Sequence, residues 1–419
     1  MDFLYNKIFI QLVKLYIKFQ KNNKKLKNRE IIANNLLNNF GIIDNSISKK
    51  KIWFHVASMG EFEQARPIIE KIKLTQPNIY IILTFFSPSG YENLKNYEYA
   101  DLITYLPLDY KENAIKFIEN INPNIAIFIR YEIWFNYLNE LHNKEIPIFL
   151  LNASQPQNKF INFYYKRCFS FFKKIYVMNK LDLPYFIDMC GIKKIKFLPD
   201  TRFDRIFGKV NESIQNPFLD KTIFGKSKVL VAGSTWEEDE DLLLEAVKKI
   251  NAKNDIVKLS LIIVPHEPTR EHLDKLTQKL NKYTFLSNIN SINENEKIEI
   301  QLGDRIIIVD SIGNLLKLYA NADIAYIGGA FGDGVHSVTE PAGYGIPLIT
   351  GKDIRKSPDA KELKSIGALF TIENSIELFR IIDKLLNDNN FYSNVSQISS
   401  KFVNDRLGST DIFIKDIEL

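Results

Sequence analysis

Cysteine is almost missing from this chain of 419 residues, with Cys168 and Cys190 its only examples. Two thiols build no disulfide framework, neither has a partner at metal-ligand spacing, and the usage fits a reducing compartment. A long uncharged apolar run is missing too. Lys7, Lys14 and Lys18 interrupt the hydrophobic N-terminus, so it offers no stretch of about 18 apolar residues to span a bilayer. No small-residue cleavage site follows it. An excess of one charge is also lacking: the net charge of +5 is too small to indicate nucleic-acid binding. Internal repeats and long low-complexity segments are absent.

What remains is an ordinary globular composition, 45% hydrophobic and 25% charged, in a chain longer than one core supports, so two domains are expected. At the N-terminus, helical spacing puts Lys7, Gln11, Lys14, Lys18 and Lys21 on one stripe and Phe3, Leu4, Ile8, Phe9, Leu12 and Val13 on the rest. That pattern suits a helix lying on an anionic bilayer surface, and equally a terminal helix docked on its own domain with its lysines outward. From residue 51, apolar runs alternate with helical patterns. Strands are expected at 51–57, 79–86, 102–106, 125–129, 147–151, 174–177 and 194–198, then at 228–232, 258–264, 305–309, 324–327 and 347–349. This alternation predicts α/β architecture with parallel, doubly wound sheets. The division read from it is a basic amphipathic segment at 1–28, a Rossmann-like domain at 29–205, a linker at 206–226 and a second Rossmann-like domain at 227–419. The last helix is a candidate to pack back on the first domain.

The stretch 51–69, KIWFHVASMGEFEQARPII, reads as a buried strand, a turn with Gly60 at its bend, and a helix. Glu61 then stands outside a carboxyl strand end, where open α/β sheets bind ligands. The helix N-terminus would favour its ionised form and make it a proton acceptor; a plain first-turn acid is the simpler alternative. Ser234 and Thr235 end a strand where an anion could sit at a helix N-terminus, or where a hydroxyl merely caps one. Pro265 and His266 close the next strand. In 327–351, IGGAFGDGVHSVTEPAGYGIPLITG, the glycines at 328, 329, 332 and 334, with His336 and Glu340, suit a nucleotide. No Gly-Lys-Ser/Thr follows that loop, so it is not a Walker sequence.

These pieces, with TFFSPSGYE (84–92), YEIWFNYL (131–138), LLNAS (150–154), PDTRFD (199–204), VAGSTWEEDE (231–240), IIVPHEPTR (262–270) and VDSIGNLLKLY (309–319), occur in an order that resembles the 3-deoxy-D-manno-octulosonic acid (Kdo) transferases of lipopolysaccharide synthesis. The resemblance runs to about residue 372. It implies a GT-B fold, two Rossmann-like domains with an interdomain cleft. It also implies a CMP-Kdo donor, a lipid A precursor as acceptor, inversion at the anomeric carbon and no metal or cofactor. Attachment to the cytoplasmic face of the inner membrane is implied as well, and the basic N-terminal pattern fits that independently. By position, Glu61 falls on the catalytic base, and Glu132 and Arg202 on transition-state stabilisers. Pro265, His266, Ile312, Gly313, Asn314, Ser337, Val338, Thr339 and Glu340 fall on CMP-contacting segments. Ser234, Thr235, Gly329 and His336 are further candidates, with Arg66 for an acceptor phosphate. The chain departs from the family pattern at Pro265-His266-Glu267, where Pro-Arg-His is common, and at Asn314, where an acid is common. Rival readings are another GT-B enzyme using a UDP-sugar, a transferase or an epimerase, and an inactive membrane-associated GT-B binding protein.

Overall fold

Strands β1 (Lys51–Val56), β2 (Tyr80–Phe85), β3 (Leu102–Tyr105), β4 (Ile125–Ile129), β5 (Ile148–Ala153), β6 (Lys174–Val177) and β7 (Ile195–Phe197) form one parallel sheet in the order 3-2-1-4-5-6-7. The structure, a computed structural model, describes residues 5–10, 24–38, 50–156, 162–253, 258–290 and 306–418. The strands are apolar almost throughout because helices cover both faces of a parallel sheet. Alternate residues serve opposite faces: Ile52, Phe54 and Val56 join one core, while Trp53 joins the other with Phe128. His55 shares the Trp53 face, a polar residue in a wholly buried strand. The strand order reverses between β1 and β4, which pair directly, and that switch point is where such sheets bind ligands.

A second parallel sheet comprises β8 (Lys228–Thr235), β9 (Leu259–Pro265), β10 (Thr284–Phe285), β11 (Ile306–Ile308), β12 (Ile324–Ile327), β13 (Leu348–Gly351) and β14 (Leu369–Ile372), in the order 10-11-9-8-12-13-14. Its switch point lies between β8 and β12. Strands β10 and β14 were not among those expected from the sequence. Two residues carry no periodicity, and β14 has half-buried positions where an apolar run would be needed to stand out.

The chain divides into two compact units, residues 1–204 with 408–419, and residues 205–407. One boundary differs from the expected ones. The segment 206–226 is not simply a linker, since the helix Arg202–Gln215 occupies its first half. Val210 and Ile206 of that helix pack against Gly343. Gly208 has open space around it, so it costs backbone entropy but no packing. The helix Ser409–Asp416 belongs to the first unit. Phe413 packs on Phe149 and Tyr176, and the Asp204 carboxylate accepts from the Gly408 and Thr410 backbone amides at 2.6 and 2.7 Å.

Residues 1–4 and 11–23 of the segment read as a basic helix lie outside the described residues. Of the rest, Tyr5 is buried against Tyr164 and Phe135 and donates to Asp109 at 2.6 Å, and Asn6 exchanges hydrogen bonds with Asn136. Among the described residues no helix is long and apolar enough to cross a membrane.

Candidate active site

The turn after β1 carries Glu61 into the first turn of the helix Met59–Thr75, which Ser58 enters in extended conformation. The Glu61 carboxylate folds back and accepts the Ala57 backbone N–H at Oε2, 2.6 Å, a near relative of the capping box. Burial, reinforced by the negative charge of Glu132, pushes this carboxyl up to about 7, against the Ala57 bond and the nearby Arg130 cation. The helix terminus therefore does not decide its ionisation, as the sequence alone suggested; desolvation outweighs it. Glu61 is buried, 7% exposed.

Glu132 follows β4, the neighbour of β1, so the switch point brings the two acids into one electrostatic field. It is 8% exposed. Its Oε2 lies 2.9 Å from His55 Nε2 and accepts from Trp134 Nε1 at 2.7 Å. Arg130, at the end of the same strand, holds a left-handed backbone with φ of 64° and a buried Nε without a hydrogen-bond partner. Strain and unsatisfied polarity of this kind concentrate at functional sites. Neither His55 nor Arg130 was singled out from the sequence. The available signals were a histidine inside an apolar strand and a cation at a carboxyl strand end.

Arg202 is held rather than loose. Its guanidinium reaches Asp200 Oδ2 at 2.9 and 2.8 Å and its backbone N–H donates to Oδ1. Burial works to raise Asp200, and Arg202 with Gln64 holds it below its ordinary value. Gln64 donates to the same carboxylate at 2.8 Å from the Glu61 helix, linking Arg202 to that helix. Arg66, the candidate for an acceptor phosphate, is clamped between Glu63 and Glu70 at 3.1 and 2.7 Å, so much of its charge is already answered.

The second unit contains a cavity of about 710 Å³ lined by Trp236, Asp239, His266, Gly329 and His336, with Glu237, Glu267 and Asp333 at its walls. His266 and His336 stack with centroids 4.3 Å apart, and Trp236 covers His266 at 5.0 Å. Burial and the neighbouring His266 lower the His336 imidazole. Gly329, with φ of 91°, makes room, since a Cβ there would stand 2.7 Å from His336. Ile312, Gly313, Asn314, Ser337, Val338, Thr339 and Glu340 do not line this cavity. Ile312 is exposed, Val338 and Thr339 are buried, and the Ser337 and Thr339 hydroxyls are 3.2 Å apart. The anion cradle expected at Ser234 and Thr235 is filled by the protein's own acids. Thr235 is buried and donates to Glu240, while Asp239 accepts from the Trp236 and Gly329 amides and from the Tyr326 hydroxyl.

Residues 34–205 match the model of a family described as 3-deoxy-D-manno-octulosonic-acid transferase (kdotransferase). A 3-deoxy-D-manno-octulosonic acid transferase of Aquifex aeolicus is 31% identical over 343 residues, 81% of this chain and 86% of that protein. The chain belongs to the Kdo transferase family. It is a glycosyltransferase by that membership. This family member is also 28% identical over 388 residues to a bifunctional glycosyltransferase/methyltransferase of Fusobacterium nucleatum, matching 87% of its own length and spanning 57% of that protein. Its architecture is similar to that of a UDP-GlcNAc 2-epimerase from Neisseria meningitidis bound to UDP-GlcNAc, with a TM-score of 0.60 and 11% identity over 88% of this chain and 99% of that one. At that identity the likeness is one of fold, the GT-B arrangement of two doubly wound sheets.

Proposed function

We propose that this Kdo transferase family member moves Kdo from CMP-Kdo to a lipid A precursor, with inversion at the anomeric carbon, at the cytoplasmic face of the inner membrane. One observation carries the catalytic part. Glu61 is buried beside the charge of Glu132 at the switch point of the first sheet, and its carboxyl is pushed up to about 7. Such a group is matched in proton affinity to a general base working near neutral pH.

In this reading Glu61 Oε2 stays on the Ala57 amide and Oε1 takes the proton of the attacking acceptor hydroxyl. Loss of CMP builds positive charge on the sugar ring, which the Glu132 carboxylate stabilises. Arg202, tethered by Asp200, and the Arg130 guanidinium offset the sugar carboxylate or the leaving phosphate. A single displacement assisted by one base inverts the anomeric centre and needs no covalent sugar–enzyme intermediate. The donor nucleotide is assigned to the second unit, where the stacked His266 and His336 rings beside Gly329 offer a flat, partly apolar wall to a base.

The test is mass spectrometry of a lipid A precursor incubated with CMP-Kdo and the protein. The expected product carries added Kdo. No product, together with thermal stabilisation by UDP and none by CMP, would reassign the chain to a UDP-sugar reaction. Flotation of full-length protein and a variant lacking residues 1–28 with anionic vesicles tests the membrane part; equal partitioning would remove it.

A further inference from the structure

We propose that His55 is a positioning residue that, locked on one side by Thr84 and Trp53, fixes the Glu132 carboxylate from the other. This rests on the roles of Glu61 and Glu132 given above. His55 is fully buried in β1, directly opposite Thr84 of β2 and Phe128 of β4. A buried imidazole needs partners for both nitrogens, and both are present. Nδ1 lies 2.9 Å from Thr84 Oγ1 and Nε2 lies 2.9 Å from Glu132 Oε2.

The neighbours assign the tautomer. An indole N–H can only donate, so the 2.8 Å contact from Trp53 Nε1 makes Thr84 Oγ1 an acceptor. Glu132 as a carboxylate can only accept, so the His55 proton belongs on Nε2, and the Nδ1 of the neutral ring takes the threonine proton at 2.9 Å, nearer than the Phe54 carbonyl at 3.4 Å. With Nδ1 accepting, the ring proton resides on Nε2 and is given to Glu132. Trp134 Nε1 lies 2.7 Å from the same oxygen and 3.1 Å from His55 Nε2; with the ring proton on Nε2, its N–H goes to the carboxylate, and Phe86, which lies under the Arg29 guanidinium at 4.3 Å, stacks on Trp134 at 4.8 Å. Glu132 sits in an irregular segment after β4, where the backbone does little to fix its side chain. Two rigid ring donors supply that constraint. Among the described residues, the charged or titratable groups that act on Glu61 or pair with Glu132 are Arg130 and His55, besides the two acids themselves.

Removing a donor from Glu132 destabilises the state in which both acids are ionised. The upper titration of the pair must then rise. The experiment compares kcat and KM across the neutral range for Thr84→Val, Thr84→Ser and Glu61→Gln, with melting midpoints as the control for folding. Thr84→Val should lower kcat by up to about 100-fold with little change in KM and move the acid limb of kcat to higher pH, and Thr84→Ser should restore both. A folded Thr84→Val with the wild-type kcat and acid limb would overturn the inference while leaving the function intact. Full turnover by Glu61→Gln would instead sink the function on which it rests. If Thr84→Val does not fold, His55→Gln, which can keep a donor at the Nε2 position, should retain more kcat than His55→Asn; equal values would overturn it.

Discussion

Glu61 and Glu132 follow adjacent parallel strands, and the negative charge of Glu132 helps burial hold the Glu61 carboxyl near 7. Two acids so coupled share their protons, and only the fully ionised pair has both a base and a stabilising charge. Among the described residues Glu61 forms no ion pair, which leaves its reactivity to burial and to its neighbour.

Glu61→Gln should abolish most transfer. Loss of a positioned general base costs about 10²–10⁴-fold in rate, and the amide keeps the shape and can no longer accept the proton. Single-turnover assays with CMP-Kdo check this, and binding of CMP should be unchanged.

The same substitution should stabilise the fold at alkaline pH. A carboxyl whose folded value, about 7, exceeds the ordinary 4.5 of a free glutamate favours folding below the lower figure, and that advantage is lost as pH rises through the upper one. Wild type should therefore fall behind Glu61→Gln by up to about 3 kcal/mol above pH 7, with the gap closing toward pH 4. Denaturant melts at the two pH values measure the difference; a gap independent of pH would refute it.

Arg202→Ala should destabilise the first unit as well as slow the reaction. It removes the main partner of buried Asp200, a loss worth about 1–3 kcal/mol. Asp200 lies below its ordinary value in the fold, so its contribution is present above the unfolded value and lost as pH falls through the folded one. The variant should therefore lose the part of acid denaturation that Asp200 supplies in wild type. Urea melts at neutral and acid pH read this directly.

Gly329→Ala should cost about 1–3 kcal/mol from the left-handed backbone alone. Its Cβ would also drive His336 from its stack on His266. Histidine ring resonances in NMR report the displacement, and CMP affinity should fall with it. A variant with unshifted resonances and full affinity would separate Gly329 from the donor site.

Much of this was legible along the chain. The runs that become β1, β4, β5, β8, β9 and β12 are so apolar that only a sheet covered on both faces can bury them; the bend read at Gly60 falls instead at Ala57-Ser58, and Gly60 lies inside the helix that begins at Met59. The order of short motifs carried the family. Local pattern misled at Arg202–Gln215, where Gly208 and Asn216-Pro217 suggested irregular chain although Ile206 and Val210 had a surface to cover.

Local sequence thus settled which segments are strands, which turns end at carboxyl edges and which acid heads the helix after β1, because periodicity and turn chemistry act over a few residues. It could not settle the state of those groups. That the Glu61 carboxyl is pushed up to about 7 beside Glu132 and that His55 meets Glu132 across 77 positions both follow from strand order. Desolvation and charge coupling depend on distance in space, and folding alone sets that distance.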